Sequence, residues 1–246
     1  MTFFIIFNLS SHTMKLLILP FLLRTISLFA QEKLVVEYEN RTEVDLSKET
    51  NAKIIQMLKL ANETKFDYQL ITTKDESSFK KIDKIDNTQR ADGMKITFND
   101  TEKHLYKNFK TNQSLTFDDY NGKRFVIQDS LRIQPWILSK EKSTFLGYEV
   151  KKASYERDGL IYEAWYAPKL NFKNGPEDFS GLPGIILKVE ITNNEAQPSE
   201  KTYYTATKVE LNSKVLVTKP TKGQLISAKD YKTFTDEEYR KYIESQ

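Results

Sequence analysis

The stretch YEVKKASYERDGLIYEAWY, Tyr148–Tyr166, decides the fold. Tyr148–Tyr155 and Leu160–Tyr166 read as two strands around Arg157-Asp158-Gly159, a hairpin turn signal. Asp and Gly tolerate the positive φ that tight antiparallel turns need.

The same period-two pattern extends outward in both directions. Upstream, Val36, Tyr38 and Asn40 alternate with Val35, Glu37 and Glu39, and Phe66, Tyr68 and Leu70 with Asp67 and Gln69. Met94, Ile96 and Phe98 alternate with Lys95 and Thr97. Leu115 and Phe117 precede Asp119-Tyr120-Asn121-Gly122, a second hairpin signal, and Phe125 and Ile127 follow it. Downstream, Ile185–Ile191, Tyr203–Val209 and Val215–Thr218 read as strands. Such alternation marks antiparallel strands buried on one side. The run Lys80–Asp86 reads as a solvated loop and Asn193–Lys201 as a surface hairpin loop.

Helix signals are few. Ile54, Ile55, Leu58 and Ala61 stand at helical spacing within Leu46–Asn62. Near the C-terminus, Thr235-Asp236-Glu237-Glu238 reads as a capping box, leading to a thin apolar stripe at Tyr239, Tyr242 and Ile243. Ser227-Ala228-Lys229-Asp230 reads as the cap of a short helix. The expected fold is mainly β: a single antiparallel, strongly curved sheet or half-barrel with a helix near each end, like a lipoprotein carrier by analogy.

The chain has 246 residues, a net charge of +3 and no cysteine. Its start is unlike the rest. Met14-Lys15 precedes the apolar Leu16-Leu17-Ile18-Leu19-Pro20-Phe21-Leu22-Leu23, and Phe29-Ala30-Gln31 offers a cleavage point. This is the pattern of a secretory signal. The expected organisation is a signal peptide over residues 1–30, with the true start at Met14, and one β domain over 31–246. A membrane anchor is the competing reading, but a span needs about 20 apolar residues. Polar residues Asn8–Thr13 break the first apolar run, and Arg24 follows the second. The expected location is the periplasm, the outer membrane's surface or outside the cell. The near-neutral charge gives no electrostatic case for nucleic acid.

Catalytic equipment is sparse. His104 is the one histidine after residue 30, and with no cysteine it cannot build a zinc site. It reads as a surface histidine in a polar strand. No phosphate loop or dinucleotide fingerprint is present, and no cofactor or metal is expected. Glu163 with Glu177 or Asp178 is a candidate carboxylate pair for hydrolysis. With 34 acids in the chain, chance proximity weakens it.

The sharpest local signal runs from Trp136 through Gly147-Tyr148, Trp165-Tyr166 and Gly175-Pro176 to Phe179-Ser180-Gly181-Leu182-Pro183-Gly184-Ile185-Ile186-Leu187. Pro183 presets φ for the second position of a turn, and Gly184 supplies the positive φ of a type II turn. Gly181 allows close approach of another backbone. Gly181, Leu182, Pro183 and Gly184 thus form a structural corner that launches a strand. Trp136, Trp165, Tyr166, Phe172 and Phe179 read either as core filler or as the aromatic wall of a ligand groove.

This segment resembles the hallmark of the GLPGLI family of secreted Bacteroidota proteins, with GLPGII at Gly181–Ile186. Relatives often carry cysteine where Val150 stands, so any role of that thiol is absent. The resemblance implies an exported β-rich protein, working beside outer-membrane transport proteins, and supplies no reaction. The expected function is therefore non-enzymatic binding of an apolar ligand, a peptide or an outer-membrane partner. A structural module without a small ligand, or a carboxylate-dependent hydrolase, are the alternatives.

Overall fold

The structure is a computed structural model that describes residues 32–82, 102–212 and 214–246. The signal peptide expected over 1–30 and the strand expected at Met94–Phe98 lie outside the described residues. Twelve strands and two helices are seen among the described residues. In chain order these are β1 (Leu34–Val44), α1 (Ala52–Glu63), β2 (Lys65–Thr72), β3 (Glu76–Ile82), β4 (His104–Asn108), β5 (Gln113–Tyr120) and β6 (Lys123–Ser130). There follow β7 (Ile137–Phe145), β8 (Tyr148–Arg157), β9 (Leu160–Ala167), β10 (Ile185–Asn193), β11 (Glu200–Leu211), β12 (Gln224–Ser227) and α2 (Ala228–Glu244).

All strands join one sheet in the order β12-β6-β5-β4-β3-β2-β1-β11-β10-β9-β8-β7. Neighbours are antiparallel except β12, which runs parallel to β6. Three tight hairpins share one device. Asn121-Gly122, Leu146-Gly147 and Asp158-Gly159 each place two successive residues at positive φ, between 49° and 83°. That is the turn whose twist matches flanking strands.

The half-barrel expectation is overturned. The sheet is open and mixed, its end strands β12 and β7 do not meet, and it is not strongly curled. The physical reason is that each face has its own cover. On the front face, Leu34, Val36, Tyr38, Tyr68, Leu70 and Phe79 are buried under residues 168–184, here called the strap. On the back face, the crossing from β11 to β12 lies over β1 to β4. Lys33 Nζ donates to Val215 O at 2.6 Å, and Lys219 Nζ sits 4.8 Å from the Tyr106 ring centre. Hence Val35 and Tyr106 are buried although their neighbours in sequence face the other way. A sheet covered on both faces over its central strands needs no curl to hide its apolar side there.

Other expectations shift for local reasons. Val215–Thr218 is not a strand but part of the back-face crossing. Lys80–Ile82 is the end of β3, not loop. His104 is buried rather than at the surface, its Nε2 2.9 Å from Thr218 O in that crossing. Helix α1 starts later than Leu46, because the Asn51 side chain accepts from the amides of Lys53 and Ile54 and so caps it. Helix α2 starts earlier than Thr235. Ser227 caps it by accepting from Asp230 N at 3.1 Å, and Thr235 Oγ1 donates to Lys232 O inside the helix.

Candidate functional site

The strap sets what the front face can bind. It leaves β9 at Pro168, crosses the face and returns through the Gly-Leu-Pro-Gly corner to β10. Backbone bonds hold its two ends together: Ile185 N to Leu170 O at 3.1 Å and Ile186 N to Asn174 O at 2.9 Å. Leu182 is fully buried, and Phe172 and Phe179 are nearly so.

The corner differs from a type II turn. Gly184 has φ 154°, and its amide donates two residues back, to Leu182 O, at 2.8 Å. A Cβ on Gly184 would overlap the Ala167 carbonyl and stand 2.9 Å from Pro168 Cα. Gly181 has φ 90° and open space around it. Gly184 thus has the positive φ expected of it, though not the type II value, and also makes the close backbone approach expected of Gly181, which instead supplies a second positive φ.

Polar anchors fix the strap to the sheet. Lys107 on β4 is 1 % exposed, and its ammonium donates to Glu177 O at 2.7 Å, Phe179 O at 3.3 Å and Gly175 O at 3.5 Å. Three acceptors match its three donors. Burial pushes its pKa down to about 7, while Asp178 and Glu177 pull the other way. Glu177, itself at φ 51°, accepts from Tyr204 Oη at 2.7 Å and pairs with Lys103 through the same oxygen. Burial, then Glu177, raises the Tyr204 pKa. Asn174 Nδ2 donates to Thr72 Oγ1 at 3.0 Å. Gln134 bonds Asp178 O and Ser180 N, and Trp136 Nε1 donates to Ser180 O at 2.9 Å.

The five aromatic candidates are therefore divided. Trp136 and Phe179 meet at 6.2 Å between centroids, in a cluster with Tyr155 and Tyr162. Tyr166 and Phe172 lie in the same continuous core. Trp165 points to the other side of its strand, across from Lys152 and Lys188, and is partly buried against the same core. The carboxylate candidates are separated too. Glu163 shares the back face with Trp165 and pairs with Lys152 at 2.6 Å, while Glu177 and Asp178 ride on the strap at the front. Among the described residues, no group of three or more His, Asp or Glu could hold a metal ion.

What remains open on the front face is a groove over β4, β5 and β6, which the sequence reading did not find. The strap walls it on one side and the first turns of α2 on the other. Tyr231 donates to Asp118, and Phe234 packs on Phe125 at 5.0 Å and on Tyr120 at 5.5 Å. One cavity, of about 510 Å³, reaches from Lys107 and Ser114 to Asp129 and Arg132. A second, of about 420 Å³, adjoins it through Lys103, Thr116 and Ile127, which line both. The one sequence signal was Lys107, a charge on the same strand face as buried Leu105.

Comparison with curated proteins gives no match. Among solved structures, "Structure of PNGF-II in P21 space group" matches at TM-score 0.53 and 20% identity, over 82% of this chain and 33% of that one. The C2 form of PNGF-II matches at TM-score 0.53 and 22% identity, over 82% and 32%. The chain thus spans about a third of the length of PNGF-II and shares the fold of that part. A putative outer membrane lipoprotein-sorting protein domain from Vibrio parahaemolyticus covers 75% of this chain and 87% of its own at 10% identity. Its TM-score of 0.25 lends no support to the lipoprotein-carrier analogy. The Trp136–Leu187 signal that carries the GLPGLI resemblance lies inside residues 29–188, which match the family described as "Protein of unknown function (Porph_ging)", and the chain belongs to that family.

Proposed function

We propose that this chain is an exported envelope protein that binds a segment of a partner protein without catalysis, in the groove over β4–β6. The observation that carries the reading is the distribution of cover on the front face. The strap fills the apolar part with its own aromatics, which disfavours an apolar ligand there. The groove left open is mixed in character, with charged groups beside Leu105, Ile127 and Tyr231. Grooves of a few hundred Å³ with few convergent polar groups are ordinary binding sites. The separation of Glu163 from Glu177 and Asp178 weighs against the carboxylate hydrolase. The apolar run at Leu16–Leu23 supports export, with a mature N-terminus near Gln31 that mass spectrometry of envelope-derived protein would read. Among the described residues, no helix is long and apolar enough to cross a membrane.

The test is selection from a random-peptide library against the purified mature chain, with Thr116→Trp as the counter-selection because it fills the groove floor. Enriched peptides should bind the parent in anisotropy titrations and lose affinity to the blocked variant, whose circular dichroism should match the parent. Peptides that bind both proteins equally would move the site elsewhere. A library that yields no binder would remove the reading.

A further inference from the structure

The antiparallel register turns the groove floor into rows, each one residue wide per strand. The first row reads Thr72, Ser77, Lys107, Ser114, Asp129 from β2 to β6. The second reads Leu70, Phe79, Leu105, Thr116, Ile127. The third reads Tyr68, Lys81, Asp118 and Phe125 on β2, β3, β5 and β6, with Lys103 beside Lys81 through the bond from Lys81 N to Lys103 O. Successive rows are two residues apart along each strand, about 6.8 Å. The floor is therefore banded: a polar row holding Lys107 and Asp129, an apolar row, and a mixed row holding Lys81 and Asp118. The bands cross a groove that runs along the strands, between the strap and α2.

An extended peptide lying along that groove has the same repeat. Its side chains at i, i+2 and i+4 point to one face with a spacing of about 6.8 Å. Each would fall on one band. The sign of the outer bands follows from what each charge already does. Lys107 is occupied by three strap carbonyls, and Lys103 is paired with Glu177. Arg132 faces Asp178 at 3.6 Å. Asp129 is exposed at the end of the first band, where, among the described residues, its carboxylate takes the neighbouring Ser130 amide and hydroxyl. Asp118 accepts from Tyr231 in the third band, and Glu102 lines the same cavity. Across the two cavities, five carboxylates face four basic groups, and the basic groups are the more fully engaged.

We infer that the groove takes an extended peptide segment of the pattern basic–x–apolar–x–basic, its apolar side chain between Leu105 and Ile127 and its basic ones at the Asp129 and Asp118 ends. The inference rests on the binding role proposed above and specifies its ligand.

The experiment uses labelled seven-residue peptides and the mature chain, read by fluorescence anisotropy. Ac-Ser-Arg-Ser-Leu-Ser-Arg-Ser-amide should bind roughly ten-fold tighter than the peptide with Glu for both Arg. It should outbind by a similar factor a peptide with Leu moved one position, because that shift turns Leu away from the floor. Asp129→Lys, at an exposed site that leaves the core untouched, should weaken the parent peptide and leave the Glu peptide no weaker. Equal binding of all three peptides, or preference for the Glu peptide, would overturn the inference. The two proposals fail differently. Library peptides of another pattern that are lost in Thr116→Trp would sink only this motif, whereas the absence of any groove-dependent binder would sink the binding role with it.

Discussion

At the scale of the residue, two positions carry most of what is special in this chain. The first is Gly184. The sequence assigned positive φ to Gly184 and close approach to Gly181, whereas positive φ occurs at both and the close approach is at Gly184. At Gly184 the obstacle is backbone, the Ala167 carbonyl and Pro168 Cα, which cannot rotate aside. Gly184→Ala should therefore cost several kcal/mol, as overpacked or strained core positions do. Gly181→Ala meets nothing and should cost only the left-handed penalty, about 1–2 kcal/mol. Pro183→Ala, at an exposed site, should cost about 1 kcal/mol or less through the unfolded chain. Urea melts should rank the three in that order, and a Gly181 variant weaker than the Gly184 one would reverse the assignment. The second position is Lys107. Its pKa lies near 7 in the folded chain against 10.5 as its ordinary value. Between those values the unfolded chain holds the proton more firmly than the folded one. Stability should then rise with pH across that window and be flat, for this group, below about pH 7. Lys107→Met leaves three strap carbonyls without a donor and should lower stability throughout. It should also remove a rise of roughly 2–4 kcal/mol between pH 7 and 10 from the parent's profile. Parallel slopes in denaturant melts of the two proteins would count against a weakly held proton on Lys107.

At the scale of the element, the strap and α2 behave as opposites. The strap has no regular structure, yet it is sealed by apolar burial and by polar anchors on three strands, Thr72 on β2, Lys107 on β4 and Tyr204 on β11. Helix α2 is seventeen residues of regular structure with no buried residue. It is held by Tyr231 and Phe234 against Tyr120, Phe125 and Asp118. Regularity and stability are thus separate properties here. Hydrogen exchange should find α2 amides opening well below the global unfolding free energy, while β1 and β2 exchange only with it. Phe234→Ala should speed α2 exchange by roughly ten-fold, the loss of about 1–2 kcal/mol of half-buried aromatic contact. The midpoint of the cooperative core transition should stay within a degree or two. If the core transition fell with α2, the helix would be part of the core unit rather than a wall resting on it. Tyr231 and Ala228 line the groove, so a loosened α2 also changes the groove's width.

At the scale of the whole molecule, what the sequence could announce was local. Asp158-Gly159 and Asn121-Gly122 marked their hairpins because the positive φ is written in the residue types. Alternation at Val36–Asn40 and Phe66–Leu70 marked strands, because one-sided burial has period two. Strand β7 carries the pattern poorly, with Lys140-Glu141-Lys142-Ser143 exposed along it, since an edge strand buries little. Sheet order, the covering of both faces and the groove depend on contacts between residues far apart in the chain, such as Lys107 with Glu177 and His104 with Thr218. Neither partner betrays the other in sequence, and so an open sheet could not be told from a curled one. Openness has a consequence that alternation alone did not raise. A twelve-stranded sheet with free ends must keep its edges from pairing with other molecules. At one end β12 has four residues and is followed at once by α2. At the other, β7 has nine residues, and its apolar start is unprotected: Ile137 is 70% exposed and Leu138 57%. Protection lies further along, in an irregular register between Leu138 and Lys142 and in the charges of Lys140, Glu141 and Lys142. Inward or edge-placed lysine is a common guard against edge pairing, since bringing two such edges together opposes like charges in a drying interface. Replacing both lysines with Val would extend the apolar run from Ile137 and raise β propensity. Lys140→Val/Lys142→Val should keep the parent's circular dichroism at low concentration and form dimers or larger species as concentration rises. Sedimentation velocity would read this as a growing fast boundary, absent from the parent. A double variant that stayed monomeric across the same range would place the guard in the irregular register rather than in the charges, and restoring regular pairing between Leu138 and Lys142 would then be the change that exposes the edge.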